Sequence, residues 1–126
     1  MGALSLPKKE RLRKRSDFTK LSRGGKRFHS EYFVVVCSRN GLGRSRLGVT
    51  VSKRVGRAVA RNRIKRLVRE HFRHRKAVLK DNYDLNVIAK GGSSALSYRE
   101  MREALDAVVH DMLRKCEDEA VSAGTH

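Results

Sequence analysis

"GVTVSKRVGRAVARNRIKRLVREHFR", residues 48–73, changes its periodicity midway, and that change decides the fold. Up to Ser52 the pattern has period two. Leu47, Val49 and Val51 alternate with Gly48, Thr50 and Ser52, which describes a strand with one apolar face and one small, polar face. After Gly56 the period becomes helical: Ala60, Ile64, Leu67, Val68, His71 and Phe72 recur at i, i+3 and i+4 as a continuous stripe. Glycine and proline are absent from 57–80, so the spacing predicts a helix running close to Leu79 and ended by Asp81-Asn82. A further strand follows at "YDLNVIAKGG" (83–92), closed by its glycines. Residues 46–90 thus form a strand–helix–strand unit of the length that joins parallel strands.

The helix has a second face. At about 100° per residue, Arg61, Lys65 and Arg69 form one i, i+4 row, with Asn62, Arg66 and Arg73 beside it and Glu70 as the near acid. Ordinary solvated faces interleave the two signs of charge, and this one does not. Each like-charge pair at this spacing destabilises an isolated helix by roughly 0.2–0.5 kcal/mol. Packing of the apolar stripe must therefore hold the helix, and a bound polyanion would relieve the repulsion. The regularity of the stripe excludes a disordered basic tail.

Around this unit the chain reads as an α+β domain. "SDFTKLSRGG" (16–25) predicts a short helix with Ser16 as N-cap, Asp17 in the first turn and Gly24-Gly25 as the stop. "KRFHSEYFVVVCSR" (26–39) is rich in β-branched and aromatic residues, with a break at Ser30-Glu31, and "NGLGRS" (40–45) is turn chemistry. "SYRE" at 97–100 is a capping box that opens a last helix with Leu105, Val108, Val109 and Met112 on its apolar face. Residues 1–15 form a basic arm, extended or mobile when free, carrying Arg11, Arg13, Lys14 and Arg15. The expectation is one domain over 1–126, with an ordered core over about 16–116 and a frayed tail from about Glu117. The element order α-β-β-β-α-β-α makes a two-layer sandwich: a mixed sheet of about four strands, packed by a long central basic helix and by N- and C-terminal helices.

Charge narrows the function. The 126 residues carry a net charge of +17, divided into +21 over residues 1–80 and −4 over 81–126. Such polarity points to nucleic acid or, less often, a membrane surface. The longest apolar run, "YFVVVC" (32–37), is too short to span a bilayer, and "MGALSLPKKE" lacks the apolar core of a signal peptide. Cys37 and Cys116 are far apart in sequence without CxxC spacing, which reads as two free thiols in a reducing cytoplasm.

A protein nuclease would need a carboxylate cluster or a histidine pair. The basic half holds Glu10, Asp17, Glu31 and Glu70 in no shared motif, and His71 and His74 lack a third ligand. His29, His110 and His126 stand singly, and "GGSS" (91–94) is followed by no GK[ST]. RNA is favoured over duplex DNA because a strand, not a short helix and turn, precedes the basic helix, and zinc-finger spacing is missing. Phe18, Phe28, Tyr32 and Phe33 cluster near the first helix and strands, where aromatic rings can line a groove for single-stranded nucleic acid. Core packing is the competing reading for Phe28 and Phe33.

Residues 48–73 resemble the signature of the bacterial ribonuclease P protein subunit: Ser52-Lys53-Arg54 at the strand end, then Arg61-Asn62-Arg63 and Ile64-Lys65-Arg66-Leu67. "RLRKRSDFTKL" (11–21) and "YDLNVIAKGGSSALSYREM" (83–101) resemble the family's basic arm and its last strand, loop and helix start. The resemblance spans roughly residues 8–115. It implies a protein partnered by a catalytic RNA, which cuts the 5′ leader from precursor tRNA using Mg²⁺ held mainly by the RNA. No organic cofactor, protein-borne metal, catalytic side chain or obligate protein partner is implied. By the match, Lys53, Arg54, Arg61, Asn62, Arg63, Lys65, Arg66 and Arg69 would contact RNA. Phe18, Phe33 and Val34 would line a leader cleft between the basic helix and the sheet. A left-handed strand–helix–strand crossover is also implied, against the general right-handed rule. Three departures stand out. Ser22 and Val36 occupy positions where the family often has aromatics, which implies a cleft that stacks less and relies more on charge. Arg57 replaces a common asparagine and adds a cation at the helix start.

Overall fold

A computed structural model describes residues 6–79 and 83–124, apart from the side chains of 76–78 and 117–124. The expected helix stop at Asp81-Asn82 and the single His126 lie outside the described residues. The elements are α1 (Arg15–Gly24), β1 (Lys26–His29), β2 (Phe33–Arg39), β3 (Arg46–Thr50), α2 (Ala58–Leu79), β4 (Tyr83–Ala89) and α3 (Tyr98–Gly124). Single 3-10 turns occur at Lys8–Glu10 and Ser93–Ala95. The chain is an α+β domain with a four-stranded mixed sheet of order β1-β2-β4-β3. β1–β2 and β2–β4 pair antiparallel, and β3–β4 pair parallel, joined through α2 as the strand–helix–strand spacing predicts.

Register separates the two faces of the sheet. Val35 of β2 pairs with Phe28 of β1 and Val87 of β4, and Val87 pairs with Val49 of β3; this row faces α2 and α3. Ile64, Val68 and Phe72 of the α2 stripe, with Met101, Leu105, Val108 and Met112 of α3, complete a large core on that side. The alternate row, Arg27–Val36–Asn86–Gly48, faces α1. There Leu12, Leu21, Val34 and Val36 make a second, smaller core, with Phe18 and Ile88 packed against it. Burying both faces explains why β2 reads as an unbroken apolar run.

Several local expectations change. Ser16 is not the N-cap of α1; the helix begins at Arg15, and Lys14 stands at the cap without a side-chain bond. The stop does fall at Gly24-Gly25, but for reasons of space. A Cβ on Gly25 would lie 2.6 Å from the Leu21 carbonyl oxygen and 2.8 Å from Val36 Cγ1. Ser97 and Glu100 form the capping box of α3, with reciprocal bonds of 2.9 and 3.1 Å. The backbone of α3 spans Tyr98–Gly124.

The largest difference concerns the arm, which from Leu6 onward is docked on the domain. Arg11 bridges Leu47 in parallel, and the Leu12 N–H donates to the Leu47 carbonyl at 2.9 Å. Leu6 is buried in the large core and Leu12 in the small one, so the arm crosses the outer edge of β3 from one face of the sheet to the other. Two buried leucines and the unpaired side of β3 hold in place a segment whose composition alone reads as mobile.

Candidate nucleic-acid interface

The polar side of α2 presents its cations as the helical spacing predicts. Asn62 and Arg66 are exposed, and Arg61, Lys65 and Arg69 are half-buried. Among the described residues no acid forms an ion pair with any of these cations. The Nε atoms of Arg61 and Arg73 are buried without a hydrogen-bond partner. Lys53 and Arg54 project from the exposed turn that follows β3, and Arg57 is exposed where α2 begins. Arg63 differs from the rest: its guanidinium donates to the Leu96 carbonyl at 3.0 Å. That bond ties α2 to the segment leading into α3 and commits part of the fork to the fold.

The docked arm extends this cationic surface. Arg13, Lys14 and Arg15 are exposed, while half-buried Arg11 approaches Arg69. Burial, and then the neighbouring Arg11 guanidinium, hold Arg69 below the ordinary arginine value. Like charges interacting at a half-buried site favour a nearby anion.

On the opposite face of the sheet α1 packs over the small core. The half-buried ring of Phe18 lies on Gly48: a Cβ there would sit 2.4 Å from Phe18 Cε1. Arg46 anchors α1, with a bidentate pair to Asp84 at 2.9 and 2.7 Å and a longer contact to Asp17 at 3.6 Å. Beside α1 runs the row His29–Val34–Ile88–Thr50, whose outer members His29 and Thr50 are exposed. Thr50 Oγ1 donates to Asn86 Oδ1 at 3.1 Å and fixes the orientation of that amide.

Phe18 and Val34 thus share the α1 face of the sheet, within the small core. Phe33 does not: it is 0 % exposed, on the other side of β2, inside the large core. Between α2 and the sheet, where the leader cleft was expected, the α2 stripe is packed into the large core. Phe28 is core as well, and Tyr32 packs half-buried against the same core. Ser22 and Val36, the positions where aromatics were missing, have other partners. Arg27 reaches Ser22 Oγ at 3.2 Å, which sets a guanidinium beside α1, and Val36 is sealed beneath α1. Sequence reasoning missed Arg27 and Asn86. The alternation in "YDLNVIA" carries a signal for Asn86, whereas Arg27 needed the strand register.

The two histidines of α2 each face a carboxylate. His71 Nε2 is 2.6 Å from Asp106 of α3, and His74 lies 4.0 Å from Glu70. No group of three or more potential ligands is found among the described residues. No described helix is long and apolar enough to cross a membrane.

Comparison with known proteins agrees with this fold. The family model described as Ribonuclease P matches residues 6–113. The chain is 45% identical over 114 residues to the ribonuclease P protein component of Desulforapulum autotrophicum, covering 90% of this chain and 97% of that protein. It is 45% identical over 86 residues to the protein of the same name from Thermotoga maritima, covering 68% and 74%. The solved RNase P protein of Staphylococcus aureus superposes with a TM-score of 0.78 at 32% identity, over 82% of this chain and 94% of that one. The Thermotoga maritima structure gives 0.71 at 39% identity, over 79% and 94%.

Proposed function

The chain belongs to the ribonuclease P protein family, and from that premise we propose that it is the protein subunit of a ribonucleoprotein endonuclease that removes the 5′ leader from precursor tRNA. In this reading the exposed cations of α2, with Lys53, Arg54, Arg57 and the arm, bind the catalytic RNA through its phosphates. A groove beside α1, lined by Phe18 and Val34, takes the single-stranded leader. The RNA and its Mg²⁺ perform the hydrolysis, and the protein adds affinity and orientation. A bacterial cytoplasm is the compartment this chemistry implies.

One observation carries the reading. The arm passes round β3 so that the charge of Arg11 is felt by Arg69 of α2, while Leu12 packs with Phe18 in the small core on the other face. This course of the arm supports a reading in which one RNA assembly spans the cationic face and the α1 face of the sheet. Ser22 and its partner Arg27 make the groove more cationic and less aromatic, which favours leader phosphates over base stacking. The test is to mix the protein with a bacterial ribonuclease P RNA and precursor tRNA at low Mg²⁺ and follow 5′ processing. Stimulation over RNA alone is expected; its absence would overturn the reading.

A further inference from the structure

Cys37 and Cys116 are the only cysteines in the chain, 79 residues apart, and both are free and buried. The fold nevertheless brings their Sγ atoms to 3.7 Å, which is sulfur–sulfur contact. Cys37 points from β2 into the large core, and Cys116 meets it from late in α3. Both also line a cleft of about 160 Å³ whose other walls include Lys26, Arg39 and Tyr83. Two cysteines kept only as small apolar side chains would not need to touch each other or share a cleft that opens to solvent.

We propose that Cys37 and Cys116 form an oxidisable pair, which hydrogen peroxide closes into an intramolecular disulfide joining β2 to α3. Cys116 is the more exposed of the two, at 9 % against 2 %, and meets the oxidant first. Its sulfur attacks one peroxide oxygen; the S–O bond forms as the O–O bond breaks, the departing hydroxide takes the Cys116 proton and leaves as water, and Cys116 becomes a sulfenic acid. The Cys37 sulfur then attacks that sulfur; the S–S bond forms as the S–O bond breaks, and the Cys37 proton leaves with the departing hydroxyl as water. In sum, two thiols and one peroxide give one disulfide and two waters. Burial raises Cys37 above the ordinary thiol range, which makes it a slow first nucleophile and suits it to the second, resolving role.

The bridge would close a long loop and restrict the unfolded chain, which favours the folded state. None of the α2 cations and none of the groove residues line the cleft. Oxidation is therefore read as a gain in stability with RNA binding retained, and it does not depend on the functional reading above.

The full chain, treated with hydrogen peroxide at neutral pH without denaturant, is analysed by non-reducing peptide mass spectrometry and thermal melting. The expected result is a monomer containing a Cys37–Cys116 linked peptide pair. Its Tm should be higher by roughly 5–15 °C, and dithiothreitol should reverse the rise. Cys116→Ser should show no peroxide-dependent rise. Sulfinic acid on unlinked cysteines, disulfide-linked dimers, a linked pair with no gain in Tm, or thiols that react only after denaturation would each overturn the proposal.

Discussion

Gly48 is small because the Phe18 ring rests on it. In sequence it is one member of a small, polar alternation, and nothing there names the side chain above it. A methyl at this position would displace the ring by close contact with Cε1 and Cζ, at 2.4 and 2.7 Å. Gly48→Ala should cost about 1–3 kcal/mol in urea unfolding and should weaken leader-bearing precursor tRNA more than mature tRNA. Phe18→Ala should show the same selective loss with a smaller change in stability, because the ring is only half-buried. Phe33→Ala should do the reverse: about 3–5 kcal/mol of stability lost through a core cavity. Equal effects of Phe18→Ala on both tRNAs would remove Phe18 from the groove. Phe33 was misread for a physical reason: "FVVVC" is apolar at every position, since both faces of β2 are covered, so no alternation marks which side chains face α1. Asn62 and Arg63, adjacent in sequence, also part company only in three dimensions. Asn62 is exposed, while Arg63 holds a backbone carbonyl.

Among the elements, the contact between α2 and α3 has a polar clamp that periodicity could not reveal. His71 falls on the apolar stripe and is mostly buried, with Nε2 2.6 Å from Asp106 Oδ1, while Arg75 grips the same carboxylate at 2.9 and 3.0 Å. Arg75 first, and then His71, hold the Asp106 carboxyl at about 2. Burial lowers His71 below its ordinary value despite the carboxylate. Between that lowered value and about 6.5, the unfolded chain binds a proton that the folded chain refuses, so stability falls as pH drops through this window. Asp106 adds a loss of the same sign below about pH 4. The Tm should therefore be lower at pH 5 than at pH 7, and His71→Gln should flatten that slope; an unchanged slope in the variant would exclude His71 as its source. The capping box of α3 and the span of α2 were legible because they are written in neighbouring residues. The clamp pairs positions 31 and 35 residues apart and needed the packing of two helices.

At the scale of the whole molecule, the charge asymmetry was plain in the sequence, and the structure gathers much of it on α2 and the arm. Binding through several phosphates should lower RNA affinity by roughly 10³-fold or more between 50 and 200 mM salt. Arg66→Gln, at an exposed cation, should reduce the slope of log affinity against log salt by about one. A flat profile would argue against α2 as the binding face. The course of the arm was the part least visible in advance, because just two leucines and one strand edge decide it. Its docking also bears on how copies of the chain behave toward one another. A sheet rim with unpaired amides is a template on which a second molecule can add a strand and begin a fibre. Here the chain's own backbone occupies the β3 rim at Leu47. The β1 rim is four residues long and bears Lys26, Arg27 and His29. Both rims are thus guarded against self-templating.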